Sequence, residues 1–173
     1  MQPYVEILES PDIANAFEFG SFESLVAPKG RDEFFEDCWE QQPFFVKRDR
    51  PGYFDGLLRL EDMDDYLGTR AFHRSDLRLV KQGKDLSFDD YSKDGVADRA
   101  KLMQLFNGGA MLLFSHLNRF HLPLAEMLSA CEAEIHVPMR SNVYLSPPGS
   151  RGFDLHWDTH DVIVLQISGA KRW

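Results

Sequence analysis

The sequence predicts an α+β fold in which helices precede a set of antiparallel strands. Up to Cys131 the apolar residues recur with helical spacing, whereas from Ile135 onward they alternate as they do in strands. Pro147-Pro148-Gly149 and Ser168-Gly169 separate the later segments, as turns do between strands. A run of helices followed by a run of strands favours a helical layer beside an antiparallel sheet.

Four segments before residue 135 have the apolar spacing of helices. They lie at Asp32–Gln41 with Pro43 after it, around Met63–Leu67 with a stop at Gly68, from Asp98 to Asn107-Gly108-Gly109, and near Arg119–Cys131. Asp98 is the predicted N-cap of the third helix, because a carboxylate accepts the first N–H groups of a helix. Pro123 is tolerated only in the first turn of the fourth helix, where its missing N–H has no partner to lose.

Short strands are predicted in both parts of the chain, where β-branched, aromatic or alternating residues cluster. They are Pro43–Val46, Leu77–Val80, Ile135–Leu145, the segment around His156, and Val162–Ile167. Lys171-Arg172-Trp173 has the pattern of a further strand that opens there. In such a strand Lys171 and Trp173 would share one face, and Arg172 would point to the other.

Composition and charge exclude several functional classes. The chain has 173 residues, 43% of them apolar, which is enough to bury a core in one domain. Its 19 basic and 28 acidic side chains give a net charge of −9, which argues against direct binding of nucleic acid or an anionic membrane surface. The longest apolar stretches, such as Ala110–Phe114, fall far short of the ~20 residues that span a bilayer. Cys38 and Cys131, without a CxxC pair or a secretory signal, predict reduced thiols in a cytoplasmic protein.

His156-Trp157-Asp158 is the motif that carries chemistry. In a strand, residues i and i+2 point to the same face roughly 6.6 Å apart, so this imidazole and carboxylate can converge on one metal ion. They are two of the three ligands of a 2-His-1-carboxylate face, which leaves positions on Fe(II) for a chelating cosubstrate and O₂. The motif alone is common, and a solvated His and Asp at a strand end is the alternative.

The residues around this motif resemble the JmjC-type cupin family of 2-oxoglutarate oxygenases, and within it the ribosomal-oxygenase branch, which hydroxylates protein side chains. The resemblance rests on Ser141–Ser150, Gly152-Phe153, His156-Trp157-Asp158, Val162–Ile167, Gly169 and Lys171-Arg172-Trp173, and more loosely on Phe34–Pro43. It implies N-terminal helices packed on an antiparallel double-stranded β-helix, the cupin or jelly-roll fold. Residues 1–173 would then be one partial domain, helix-rich over 1–134, with the first metal-site strands at 135–173.

The resemblance also assigns roles to individual residues. It implies that His156 and Asp158 bind the metal, and that Lys171 pairs with the distal carboxylate of 2-oxoglutarate. Asn142 and Tyr144 would line the same cavity, and no catalytic residue beyond the metal ligands is implied. The implied cofactors are Fe(II), 2-oxoglutarate and O₂, and the implied reaction oxidises 2-oxoglutarate to succinate while a protein or peptide side chain is hydroxylated. From the residues alone, Lys171 would be a surface lysine, and Asn142 and Tyr144 a half-buried strand pair.

The sequence departs from the family at the second histidine ligand, which in the family lies several strands after the lysine. His160 is the nearest substitute, but along a strand its Cα would lie roughly 13 Å from that of His156, too far unless the chain turns at Thr159. The remaining histidines are expected on the surface or in the core: His73, His116, His121 and His136. We therefore expect a chain truncated before that ligand, which alone binds Fe(II) weakly and turns over no 2-oxoglutarate. Unpaired edges at Val162–Ile167 would favour a homodimer or a complementing C-terminal chain.

Three functions remain open from the sequence. The first is an iron oxygenase acting on a protein or peptide, for which the acidic surface would favour a basic substrate such as a ribosomal protein. The second is a cupin metalloenzyme of other chemistry that holds Zn or Mn with the same two ligands. The third is a degenerate, non-catalytic cupin that serves as a dimerisation or peptide-binding module.

Overall fold

The structure is a computed structural model that describes residues 7–9 and 19–171. The helices are Phe22–Val26 (α1), Arg31–Asp37 (α2), Leu60–Thr69 (α3), Arg99–Asn107 (α4) and Leu122–Ile135 (α5). The strands are Ile7–Glu9 (β1), Phe45–Lys47 (β2), Leu77–Lys81 (β3), Lys84–Asp85 (β4), Ser92–Lys93 (β5), Val96–Ala97 (β6), Met111–Ser115 (β7) and Asn142–Leu145 (β8). The described residues divide into two compact units: one runs to Leu58 and includes Leu122–Met139, and the other combines Arg59–His121 with the residues from Arg140 onward.

The first unit contains α1, α2, α5 and the parallel strand pair β1–β2. The hydroxyl of Ser21 caps α1 by accepting the N–H of Ser24 at 3.1 Å. Phe22 is fully buried, and its ring lies 5.6 Å from that of Phe34 on α2, between centroids. The carboxylate of Glu134 on α5 accepts the N–H of Phe22 at 3.1 Å. These contacts hold α1, α2 and α5 around one aromatic cluster.

The predicted helix at Asp32–Gln41 is shorter in the structure, where α2 ends at Asp37. Two side-chain amides bind the carbonyl groups at the end of α2. Gln41 donates to the carbonyl of Glu36, and Gln42 donates to the carbonyl of Asp37 at 3.0 Å. Such bonds satisfy carbonyl groups that have no partner inside a helix. The apolar stripe that predicted this helix is buried as expected at Phe34 and Cys38.

Two further helices have shifted ends. α3 extends one residue past the predicted stop at Gly68, and the hydroxyl of Thr69 donates to the carbonyl of Asp65 at 2.6 Å. α5 begins at Leu122, with Pro123 in its first turn, and continues to Ile135. The predicted apolar positions of α5 are buried: Leu124, Met127, Leu128 and Cys131. Helical spacing therefore predicted the buried faces better than it predicted the ends.

The second unit is built on an antiparallel sheet with strand order β4-β3-β7-β8. Leu112 of β7 pairs with Leu79 of β3 on one side and with Leu145 of β8 on the other. Since directly paired residues point to the same face, these residues share a face with Leu77 and Phe114. Leu77, Leu79, Leu112 and Phe114 are fully buried, so this face forms the core of the unit.

The opposite face of this sheet, called here the site face, carries Arg78, Leu113, Asn142 and Tyr144. Arg78 pairs with Leu113, and Leu113 pairs with Tyr144, so the three side chains form one row across β3, β7 and β8. Leu113 is buried, whereas Arg78 and Tyr144 are exposed. The site face is therefore apolar at its centre and polar on both sides.

The alternation expected of a strand is absent from β7, so the sequence pattern does not predict this central strand. Met111, Leu112, Leu113 and Phe114 are all buried, because both faces of β7 are covered. A continuous apolar run of this length is compatible with a buried strand or with part of a helix, and only pairing distinguishes them.

The prediction of strands around His156 and at Val162–Ile167 is wrong for this structure, because residues 151–171 contain neither helix nor strand. The predicted strand Ile135–Leu145 is reduced to β8, since Ile135 ends α5 and His136 has a positive φ of 57°. A strand persists through main-chain bonds to a neighbour, and within the described residues β8 is the last paired strand. Arg172 and Trp173 lie outside the described residues. Within residues 7–9 and 19–171, no helix is both long enough and apolar enough to cross a bilayer.

Candidate functional site

Two predicted site residues, Asn142 and Tyr144, lie two apart on β8 and so share the site face. The side-chain oxygen of Asn142 accepts the N–H of His116 at 3.3 Å. His116 has a positive φ of 55°, so this bond supports a left-handed turn just after β7. Tyr144 has about half of its surface exposed, at 48%. Tyr144 is therefore accessible on the site face, and Asn142 stabilises the turn that follows β7.

Lys171 returns to this face from the end of the described chain. Its Nζ lies 5.4 Å from the centroid of the Tyr144 ring, within the range of a cation–π contact. The structure thus brings together Lys171 and Tyr144, which are 27 positions apart in the sequence. Lys171 is exposed, so its ammonium is accessible beside the ring.

Phe153 connects this pair to the His156-Trp157-Asp158 motif. Its ring centroid lies 6.5 Å from that of Tyr144 and 5.4 Å from that of His156, with edge-on geometry in both cases. These distances are typical of aromatic pairs that contribute beyond simple burial. Lys171, Tyr144, Phe153 and His156 therefore form one connected group on the site face.

His156 and Asp158 place their donor atoms close together. Nε2 of His156 lies 3.9 Å from Oδ2 of Asp158, although their side chains are 55% and 47% exposed. Nδ1 of His156 lies 2.7 Å from the carbonyl oxygen of Asp154. Because a carbonyl only accepts, Nδ1 of the neutral ring carries the hydrogen, and the lone pair is left on Nε2, as in most metal-ligating histidines.

The donor pair can bind one divalent ion if the two atoms move closer together. Adjacent ligands that each lie about 2.1 Å from an octahedral metal are roughly 3.0 Å apart, whereas Nε2 and Oδ2 are 3.9 Å apart, so both exposed side chains would have to approach by about 1 Å. Among the described residues, no group of three or more His, Cys, Asp or Glu is placed to hold a metal. The described residues thus supply two donors of the right chemistry for Fe(II), one nitrogen and one oxygen.

The other histidines do not join this pair. Nδ1 of His121, a buried residue, lies 2.7 Å from the hydroxyl of Tyr66, as expected for a core histidine with a partner. Nδ1 of His73 lies 3.0 Å from the carbonyl oxygen of Gly95, on the surface. His160 is exposed.

Arg78 is a site-face residue that the sequence reasoning missed. Its guanidinium carbon lies 5.7 Å from the centroid of the Phe153 ring. The only local signal is that Arg78 interrupts the apolar residues of β3, a pattern that an ordinary solvent-facing arginine shares.

Comparison with known proteins shows which family this part of the chain resembles. Residues 116–173, which contain Asn142, Tyr144, Phe153, His156, Asp158 and Lys171, match the JmjC domain. This match confirms the predicted resemblance to the JmjC family. A JmjC domain implies a cupin fold, with which the helices and antiparallel sheet agree.

The relatives of this chain include ribosomal oxygenases and NO66. The chain is 31% identical to ribosomal oxygenase 2 of Rattus norvegicus over 95% of this chain and 37% of that protein. It is 30% identical to ribosomal oxygenase 1 of Gallus gallus, over 88% of this chain and 25% of that protein. It is 28% identical to the bifunctional lysine-specific demethylase and histidyl-hydroxylase NO66 of Drosophila erecta, over 87% and 23%. The chain spans 23% to 37% of the length of these relatives.

Proposed function

We propose that this protein carries the site of an Fe(II)- and 2-oxoglutarate-dependent oxygenase that hydroxylates a side chain of a protein or peptide, and that the two donors of the described residues alone bind Fe(II) weakly and support no turnover. The observation that carries the proposal is the pairing of His156 with Asp158, 3.9 Å apart, with Nε2 bearing the lone pair. The placement of Lys171 beside Tyr144, joined to that pair through Phe153, supports it.

Each residue of the group has a defined task in this proposal. Nε2 of His156 and the carboxylate of Asp158 hold the iron, and the carbonyl of Asp154 orients the imidazole. The ammonium of Lys171 meets the distal carboxylate of 2-oxoglutarate, and the Tyr144 ring holds that ammonium in place. When bound, Fe(II), 2-oxoglutarate and O₂ supply the chemistry, in which 2-oxoglutarate loses CO₂ to become succinate and a C–H bond becomes C–OH.

The proposed substrate is a basic segment of a ribosomal protein. The relatives are named as ribosomal oxygenases and, in one case, as a histidyl-hydroxylase. The net charge of −9 favours association with a positively charged partner, and that attraction weakens as salt is added.

The finer architecture belongs to the same proposal. The sheet β4-β3-β7-β8 would form one wall of a double-stranded β-helix. Val162–Ile167 would become a strand there when it meets a neighbour, either another segment or a second copy, because its residues already have β-branched side chains.

The test is an anaerobic titration of the purified protein with Fe(II), with and without 2-oxoglutarate. The metal-to-ligand charge-transfer absorption of the ternary complex is recorded up to about 1 mM metal, because two protein donors alone bind weakly. We expect the absorption in the wild type and its loss in His156→Gln and Asp158→Asn. His73→Gln is the matched control, because Nδ1 of His73 also contacts a backbone carbonyl, at 3.0 Å, and no carboxylate lies two residues later.

The same titration separates the alternatives. Metal binding that needs His156 and Asp158 but shows no absorption with 2-oxoglutarate would contradict the proposal and favour a cupin metalloenzyme of other chemistry. If neither variant differs from the wild type in metal binding, the non-catalytic module is favoured. The observation that favours that module is the exposure of two large apolar side chains, Leu155 beside the motif and Trp157 within it.

A further inference from the structure

We propose that Arg78 is a positioning residue for His156 and acts through the ring of Phe153. The inference rests on the proposed function in one respect, that His156 is a metal ligand. It assigns a role to the β3–β4 hairpin, which contributes no donor atom to the site. The contacts that carry it join a cation to a phenyl ring and that ring, edge-on, to an imidazole.

Arg78 is fixed from the hairpin side by Asp85 of β4. Nε and Nη2 of Arg78 donate to Oδ1 of Asp85 at 3.1 and 2.9 Å, and Nη2 also donates to Oδ2 at 2.7 Å. A two-pronged contact of this kind holds the plane of a guanidinium as well as its position. Asp85 pairs with Val80, which lies on the same face as Arg78, so the ion pair runs along the site face.

Phe153 contacts both the guanidinium and the imidazole. The guanidinium carbon is 5.7 Å from its ring centroid, and the His156 ring is 5.4 Å away, at an interplanar angle of 68°. A cation over a phenyl face and an imidazole at its edge both restrict the rotation of that ring. Loss of the cation would therefore widen the range of positions that Phe153, and with it His156, occupies.

The backbone of residues 152–154, which precedes His156, also contacts the β3–β4 hairpin. The N–H of Gly83, in the β3–β4 turn, donates to the carbonyl of Gly152 at 2.9 Å. A Cβ on Gly83 would lie 2.4 Å from the Asp154 carboxyl group, and one on Gly152 would lie 2.8 Å from Sδ of Met111. The chain that carries the Asp154 carbonyl, and therefore the hydrogen bond to Nδ1 of His156, is thus seated directly on β3–β4 and β7.

The first test uses the metal-free protein, so it does not depend on iron. The Cε1–Hε1 signal of His156 is observed in a ¹H–¹³C correlation spectrum and assigned through His156→Gln. We expect this signal to move in Arg78→Gln and in Phe153→Leu, because the ring current of Phe153 acts on it. The ring centroids of Phe153 and His156 are 5.4 Å apart. Arg78→Lys keeps the charge but not the planar fork, and we expect an intermediate position.

Arg74→Gln is the matched control. Arg74 also donates to an exposed aspartate, Asp89, at 3.1 Å, and it also lies over a phenyl ring, that of Phe88, at 5.3 Å. The Arg74→Gln variant therefore loses an ion pair and a cation–π contact, as Arg78→Gln does, but not the contact with Phe153. We expect the His156 signal to stay where it is in the wild type.

The second test measures Co(II) affinity by calorimetry. We expect Arg78→Gln to bind Co(II) about two- to fivefold more weakly than the wild type, which corresponds to the loss of one exposed cation–π contact. Arg74→Gln should bind as the wild type does. This readout reports on the site without requiring turnover.

The outcomes separate the two proposals. A His156 signal that stays unmoved in Arg78→Gln, while Phe153→Leu moves it, overturns the positioning role. If Arg78→Gln loses its native circular dichroism, Arg78→Lys decides by the same criterion. A signal that moves in a protein that binds no Co(II) supports the positioning role and contradicts the proposed function.

Discussion

At the scale of single residues, one backbone contact determines what His156 can do. The carbonyl of Asp154 takes the hydrogen of Nδ1, and this leaves Nε2 able to bind a metal beside Asp158. The spacing of the motif predicts that the two side chains can converge, and the structure shows the convergence without the strand from which it was argued. An irregular loop at 154–158, with a bend at Leu155, brings the two side chains together as the i, i+2 geometry of a strand would.

Cys131 shows how burial alone changes a titratable group. Cys131 is fully buried on α5, and this desolvation raises the pKa of its thiol from 9.0 to about 11. The thiol is therefore protonated and unreactive over the physiological range, which agrees with the prediction of a reduced structural cysteine.

A stability experiment follows from that pKa. Between about pH 9 and pH 11 the unfolded thiol loses its proton while the folded thiol keeps it, so rising pH favours the unfolded state. We expect the free energy of unfolding to fall in this range, with on the order of 2 kcal/mol from Cys131, measured by urea denaturation. In Cys131→Ala the fall should be shallower. Burial also raises the pKa of Tyr66 and Tyr91. The wild type and Cys131→Ala both retain these tyrosines, so the difference between their pH curves reports on Cys131. Parallel pH curves for the two proteins would show that the thiol does not contribute.

At the scale of elements, local signals predicted helix starts and buried faces. Asp98 accepts the N–H of Lys101 at 3.1 Å, as expected of an N-cap, and α4 ends at glycines, with a φ of 93° at Gly109. These features are visible in sequence because the groups that interact lie within four residues of one another. Strands behave differently, since β7 is defined by pairing with β3, more than thirty residues earlier.

The cap of α4 can be tested by Asp98→Ala. Removal of the carboxylate leaves the N–H of Lys101 without its acceptor, and we expect the free energy of unfolding to fall by about 1 kcal/mol in urea denaturation. Asp65→Ala, an exposed carboxylate within α3, is the control and should change stability little. Equal effects of both substitutions would show that the cap does not stabilise α4 specifically.

At the scale of the whole molecule, an exposed apolar stretch stands out in the second unit. Val162 and Val164 have 60% and 51% of their surface exposed, and the main chain around them has no strand partner among the described residues. Exposed β-branched residues with unpaired main-chain groups favour association with another strand. The sequence-based expectation of dimerisation remains a prediction, and this stretch is where we expect the contact.

We expect the double variant Val162→Lys and Val164→Lys to self-associate less than the wild type. Two charges at these positions oppose the approach of a second copy and reduce the exposed apolar surface. Sedimentation velocity over a range of protein concentrations measures the effect. Leu60→Lys combined with Val137→Lys is the control, since it replaces two exposed apolar residues elsewhere and adds the same charge. Association that is unchanged in the first variant, or equally reduced in the control, would contradict the prediction.

The predicted order of helices before strands is not observed, because among the described residues β1–β7 precede α5 and only β8 follows it. The sequence by itself determined the family resemblance, the buried helix faces, the N-cap at Asp98 and the residue types of the candidate metal pair. These depend on interactions between near neighbours or on a motif read directly from the chain. Only the tertiary structure decided that β7 is the central strand, that Phe153 joins Tyr144 to His156, and that Arg78 lies over Phe153. The physical reason is that strand pairing and ring contacts bind residues far apart in sequence, and the pattern around one residue does not specify its distant partner.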